Sequence, residues 1–433
     1  MEGSDNMLRL ISGFGIIVML LLAWALGTNR NIRNNRVLIG GLGLQLILAI
    51  LVMRTTEGNA VFTVIGSMFS GMLDFVDEGS EGVFGANYGE FFFAFKVLPT
   101  IIFFSSLMAI LYYLRVMQPI VQAMAWLMRI TFKTSGAETL AAAANVFVGQ
   151  TEAPLVVKPY ISRMTKSELM SLMVGGFATI SGGILAAYIG MGIDATHLVS
   201  ASVISAPAAL VIAKLMQPEV DEPATLGSGV AIDVEADGPV NVVDAATQGA
   251  SVGLKLALNV GAMLIAFLAL LALAKWIFSS TGEALEWSIN LVAGEGAVDF
   301  QWSLESAMGY CFAPLAWVMG IEWSECIKAG ELLSYKVIAN EFIAYDLLAD
   351  VQSDPATALS DRTTMILTYA LCGFANFGSI GIQIAGIGGL APERRGDLAK
   401  LSVRAMIGGT LAAFMTACFA GLLYGDPISL FGM

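Results

Sequence analysis

Charge is scarce in this chain. Of 433 residues only 13% are Asp, Glu, Lys or Arg, about half the roughly 25% of a soluble domain. Histidine is scarcer still, with His197 alone, and the four cysteines, Cys311, Cys326, Cys372 and Cys418, show no CxxC spacing. This leaves no HExxH and no Cys/His cluster for zinc chemistry. No G-x-x-x-x-G-K-[ST] loop is present either, which argues against a P-loop ATP pump. The cysteines stand in apolar context and are expected as small buried hydrophobes; His197 is expected in an external loop with a structural role. The opening MEGSDNM is acidic and lacks the basic region of a cleaved leader, so the first apolar run is expected to persist as a helix. The net charge of −13 comes from acids gathered in loops, and nucleic acid is not an expected partner.

What the chain has is apolar length. Hydrophobic residues make up 57% of it, and the runs at 8–27, 37–53, 91–114 and 252–277 lie near or beyond the roughly 20 residues that cross a bilayer core. The fold class expected is an all-α polytopic membrane protein. Further runs at 170–191, 198–216, 365–390 and 401–424 bring the expectation to eight transmembrane helices. Phe62, Ile65, Phe69, Met72 and Val76 recur at helical spacing with Thr63, Ser67, Ser70 and Asp74 between them, the pattern of an interfacial helix. Residues 119–132 read as a second one.

Two regions are apolar but interrupted. Residues 134–148 and 153–164 are short arms on either side of GQTEAP, within NVFVGQTEAPLVVKPY at 145–160. Such arms meeting at a polar tip marked by Gly and Pro describe a re-entrant hairpin. Residues 323–354 are broken in the same manner by Glu331, Lys336, Asn340, Glu341 and Asp346. Each hairpin is followed by two spans, and one span separates the copies, so the repeats are expected to be inverted, as in secondary transporters. The division expected is 1–133 (spans 1–3 with interfacial helices), 134–216 (first repeat), 217–300 (acidic loop and span 6) and 301–433 (second repeat). Basic residues gather at Arg30, Arg33 and Arg36, at Arg115, Arg129, Lys133, Lys158, Arg163 and Lys166, and at Arg394, Arg395, Lys400 and Arg404. With eight spans all three groups share the cytoplasmic side, and both termini face outward.

The candidate ligand groups are the polar residues that lipid should reject. Glu152 stands beside Gln150 and Thr151, and Glu341 holds the equivalent place in the other repeat; an ionised carboxylate at membrane depth needs a partner or water. ATISGGILA at 178–186 sets Thr179 and Ser181 before paired glycines, and CGFANFGSIG at 372–381 sets Asn376 and Ser379 among Gly373, Gly378 and Gly381, which favours local unwinding over simple close packing. With no basic residue expected to be buried near these motifs, a phosphate or carboxylate solute fits poorly. Neutral hydroxyl- and amide-bearing molecules such as sugars or nucleosides fit better, with Phe374 and Phe377 as ring faces. The anionic character suits a co-transported cation.

FKVLPTIIFFS at 95–105, GQTEAP at 149–154, GYCFAPLAW at 309–317, NEFIAY at 340–345 and CGFANFGS at 372–379 together resemble the concentrative nucleoside transporter family. The likeness runs from about Phe91 to the C-terminus, and the number of spans resembles the shorter bacterial branch. The resemblance implies a homotrimer in the bacterial inner membrane with a mobile domain built from the two hairpin repeats. It implies that Gln150, Thr151 and Glu152 bond the nucleobase, that Ile184 and Phe374 pack against it, and that Glu341, Asn376 and Ser379 hold the ribose. It further implies a sodium site at Asn145, Val148, Thr179 and Ile180, with Val148 and Ile180 giving carbonyls. Thr179 stands where the family pattern has serine, and Ile184 where it has valine. The function expected is sodium-driven, elevator-type import of nucleosides: uridine and other pyrimidine nucleosides, with adenosine besides. H+ coupling through Glu152 or Glu341, an intramembrane enzyme and a passive channel are the rival readings.

Overall fold

Apolar chain in lipid must close its backbone hydrogen bonds internally, which leaves helices as the default solution. In the computed structural model the described residues, 2–30, 35–90, 93–227, 239–294 and 303–426, form eighteen α-helices, and no strand occurs among them. Arg33 and residues 228–238 of the acidic segment lie outside the described residues.

The first five helices are α1 (Glu2–Ala25), α2 (Asn35–Arg54), α3 (Thr56–Phe84), α4 (Leu98–Tyr113) and α5 (Met117–Phe132). In α3 the apolar face reads as the sequence pattern expects: Val76 is buried and Phe62, Ile65, Phe69 and Met72 are half-buried, while Thr63, Ser67, Ser70 and Asp74 are exposed. The first hairpin is α6 (Gly136–Ala144), a turn, and the single-turn helices α7 (Ala153–Val156) and α8 (Lys158–Ile161). A helix broken in two, α9 (Lys166–Ala178) and α10 (Gly182–Gly190), and then α11 (Ala195–Met216) complete the first repeat. Both α6 and α9 begin on a reciprocal capping box, Ser135 with Glu138 and Thr165 with Glu168, which satisfies backbone donors that would otherwise be buried bare.

Next comes α12 (Val242–Ala293), a 52-residue helix whose roughly 80 Å length far exceeds the roughly 30 Å of a bilayer core. The expected span at 252–277 is only its most apolar part. The next helix, α13 (Leu304–Val318), turns by 116° into α14 (Trp323–Ile338). Their backbones touch, since a Cβ on Gly330 would lie 2.3 Å from the Gly309 carbonyl oxygen. The remaining helices are α15 (Glu341–Ser353), α16 (Asp361–Leu371), α17 (Phe377–Leu390) and α18 (Arg395–Leu422).

The order short pair, broken helix, long helix therefore occurs twice, and the packing repeats it. The first arm rests on the broken helix in both copies, α6 on α9 and α14 on α16. Each broken helix then packs on the long helix of its own copy and on that of the other: α9 touches α11 and α18, and α16 touches α18 and α11. Exchange of contacts between copies is what a pseudo-two-fold axis produces. This exchange makes the core: 89% of the apolar window of α11 is buried, against 11% for α12.

Several expectations need correction. Eight described stretches are long and apolar enough to cross a membrane, but the set differs from the one expected. It includes Thr56–Phe84 and omits the seventh span, because the break leaves neither α16 nor α17 long enough by itself. His197 is not in a loop; it lies in the first turn of α11, where its backbone N–H donates to Asp194 at 2.8 Å and its ring meets Tyr369. Cys311 is exposed, whereas Cys326, Cys372 and Cys418 are buried. α13 turns that face of its apolar sequence away from the core.

Candidate substrate cavity

The two helix breaks are built by local sequence and meet each other. α9 stops where Thr179 turns extended (φ −126°, ψ 170°), and α10 restarts after Ser181. α16 stops at Cys372, Gly373 adopts φ +132°, and Asn376 caps α17 by accepting from the Ser379 N–H at 2.8 Å. Gly373 is needed twice over: its φ suits glycine, and a Cβ there would lie 2.7 Å from the Phe177 carbonyl oxygen. The Phe374 N–H donates to the Thr179 carbonyl at 3.3 Å, joining one break to the other. The hairpin tips close in from either side. In the first, the Glu152 carboxylate folds over Gly149; in the second, Asn340 caps α15 by accepting from the Ile343 N–H.

A cavity of about 200 Å³ lies where these pieces converge. All eight residues singled out for the solute line it: Gln150, Thr151, Glu152, Ile184, Glu341, Phe374, Asn376 and Ser379. They are wired together across the repeats. Gln150 donates to the Ser379 hydroxyl at 3.1 Å, and Asn376 donates to Glu341 at 2.8 Å. Glu341 and Asn376 are 5% and 1% exposed, so acceptors and donors are held without water, the state that strengthens polar contacts and penalises any left unmade. Glu152 is only half-buried.

Four neighbours went unrecognised in the sequence. The Tyr188 hydroxyl donates to Glu341 at 3.0 Å, and Gln383 donates to Gln150 at 3.0 Å and to the Met173 carbonyl at 3.1 Å. Lys255 and Asn259 reach the cavity wall from α12. A signal existed for each: Tyr188 follows Ile184 and Gln383 follows Ser379 by four residues, hence on the same helix face. Lys255 and Asn259 carry the same spacing inside an apolar run. Phe377, by contrast, is 52% exposed and does not line the cavity. The expectation that no basic residue is buried near the motifs also fails, since Lys336 is fully buried. It lies on the interrupted arm 323–354, whose α14 face packs on α16.

The other candidate group lies beside the first break. Asn145 is 1% exposed and neither atom of its amide has a hydrogen-bond partner; such an orphan calls for an explanation. It faces Gly175, where a Cβ would lie 3.0 Å from the Asn145 amide nitrogen, and the Thr179 hydroxyl donates to the Gly175 carbonyl at 2.9 Å. Val148 is half-buried at the tip, Ile180 is fully buried in the break, and the Gly182 N–H donates to Phe147 at 3.2 Å, closing tip onto break. Neutral oxygens at an unwound membrane helix suit an alkali cation. Among the described residues no group of three His, Cys, Asp or Glu could hold a metal.

Comparisons with known proteins agree with this architecture. Family profiles match along most of the chain: "Na+ dependent nucleoside transporter N-terminus" at 14–87, "Nucleoside recognition" at 94–195 and "Na+ dependent nucleoside transporter C-terminus" at 197–421. Solute carrier family 28 member 3 of Rattus norvegicus is 42% identical over 434 residues, covering 98% of this chain and 60% of its own. The chain thus spans about three fifths of that relative's length. An uncharacterized transporter of Haemophilus influenzae is 42% identical over 423 residues, covering 96% of this chain and 98% of its own. Among solved structures, CNTnw in an inward-facing substrate-bound state is 40% identical with a TM-score of 0.85, covering 96% of this chain and 99% of that one.

Fold and cavity are those of an all-helical chain with several helices long and apolar enough to cross a membrane and a polar cavity where its two helix breaks meet. The chain belongs to the Na+-dependent, or concentrative, nucleoside transporter family.

Proposed function

We propose that this protein imports nucleosides, uridine and other pyrimidine nucleosides foremost and adenosine besides, by symport with Na+ across a bacterial inner membrane. The observation that carries the reading is the convergence of all eight solute candidates from two repeats on one cavity, with the partnerless Asn145 amide beside it. Gln150, Thr151 and Glu152 bond the base, Ile184 and Phe374 pack on its faces, and Glu341, Asn376 and Ser379 take the ribose hydroxyls. Asn145 and Thr179, with the Val148 and Ile180 carbonyls, hold the ion. Coupling follows from geometry. Asn145 and Gln150 belong to one hairpin tip, so filling the ion site orders the tip that the base needs, and each ligand raises the affinity of the other.

In this reading the two short helical pairs are re-entrant hairpins, α3 and α5 lie at the interface, and α9 with α10 and α16 with α17 each make one span. That gives eight spans with both termini outside. The two repeats, 134–216 and 301–433, move together as an elevator against a scaffold of α1–α5 and α12. The exposed apolar face of α12, with Leu254, Leu258, Ile265 and Leu268, meets its copies in a homotrimer.

Uptake of labelled uridine into proteoliposomes tests the reading. With Na+ outside and K+ inside, uridine accumulates above its external concentration, and a sodium ionophore abolishes the excess. Accumulation driven only by an inward proton gradient assigns the coupling to H+. Mere equilibration marks a passive channel.

A further inference from the structure

The second repeat holds a buried cation that the reading above does not use. Lys336 lies in the last turn of α14 and is 0% exposed. Its ammonium donates to the Ala370 carbonyl at 2.6 Å, next to the end of α16, and stands 5.8 Å from the ring of Phe414 on α18. No carboxylate comes within salt-bridge distance of it among the described residues, although Glu341 lies within electrostatic reach. A dry ammonium is costly, and inside a membrane such a group is retained for a purpose.

Its place in the repeat suggests that purpose. In the first repeat Asn145, the C-cap of α6, stands against Gly175 in the last turn of α9, and neither atom of its amide has a partner among the described residues. In the second, the end of α14 meets the end of α16, and the residue presented is Lys336. One junction offers open oxygens to a cation; the other already contains one, on a covalent stem. We propose that Lys336 is a positioning residue: a tethered cation that holds the end of α16 at the second break and keeps Glu341 aimed into the cavity as an acceptor. The inference rests on the proposed sodium symport and deepens it.

A double-mutant cycle on the full-length protein tests this, using Lys336→Met, Glu341→Gln and the combined variant. Uridine binding, sodium activation of uptake and thermal unfolding are read for each. Methionine keeps the bulk of the stem and removes the charge. Lys336→Met is expected to weaken uridine binding by about tenfold or more, and the combined variant to bind no worse than Glu341→Gln, since the two groups act as a unit. If Lys336→Met does not fold, the combined variant decides. Its recovery supports the coupling, because removing both charges leaves neither bare; failure of both to fold reduces Lys336 to a helix-end brace and overturns the proposal. Binding within about twofold of wild type, or penalties that add, overturns it as well. Failure of the wild type to accumulate uridine speaks against the symport reading alone, since the cycle in unfolding temperature still reports the coupling.

Discussion

At Glu341 two donors converge, Tyr188 on one oxygen and Asn376 on the other, at 3.0 and 2.8 Å. Such an acceptor can give its remaining lone pairs to a ribose hydroxyl. Replacing it with Gln turns one acceptor into a donor that meets donors. Hydrogen bonds to charged groups contribute about 1.5–3 kcal/mol, so Glu341→Gln should raise the uridine dissociation constant roughly 10- to 100-fold. Titration calorimetry on purified protein checks this, and wild-type affinity would place the ribose elsewhere. Gln150, Glu152 and Glu341 were legible in the sequence because a polar group in an apolar run is anomalous. Tyr188 and Lys336 were harder to read: the signal for Tyr188 is only its place one turn beyond Ile184, and the burial of Lys336 depends on α14 packing against α16.

Among elements, the breaks carry the design. Hydrophobic periodicity marks where helices run, and glycine beside Thr, Ser or Asn marks where they stop, so both interruptions could be expected at 178–186 and 372–381. That the two breaks touch could not, because the Phe374–Thr179 bond joins residues 195 apart whose proximity depends on the whole repeat packing. The same contact yields a prediction. Gly373→Ala forces a side chain into a left-handed position and against the Phe177 carbonyl oxygen, a strain of about 1–3 kcal/mol. Its thermal unfolding temperature should fall and uridine binding should weaken together; an unchanged transition would mean the break tolerates a Cβ. The extent of α12 was likewise hidden. Beyond 277 its sequence turns polar with Ser279, Ser280, Thr281 and Glu283, yet the helix continues to Gly294, which caps it at φ +105°.

For the whole molecule, burial divides the chain unequally. The interlocked repeats bury their apolar windows against one another, while α12 leaves Leu254, Leu258, Ile265, Leu268 and Trp276 exposed along its length. With Trp287 and Leu291 exposed as well, this apolar face runs well beyond the roughly 30 Å of a bilayer core, so lipid cannot cover it throughout, which favours partner copies along it. Native mass spectrometry from mild detergent should therefore give three protomers of 45.7 kDa, and a persistent monomer would contradict the assignment of α12 to a trimer interface. The repeated order of short pair, broken helix and long helix was readable from spacing; which helices are long enough to cross was less so, because the break leaves α16 and α17 short while α3 runs to 29 residues. The account as a whole depends on two mirrored interruptions forming one binding site. A structure with uridine and Na+ bound examines that most directly. The account predicts the base between the first hairpin tip and Phe374, the ribose on Glu341, Asn376 and Ser379, and the ion at Asn145. A nucleoside seated outside the 200 Å³ cavity, with Glu341 turned to bulk solvent, would contradict it.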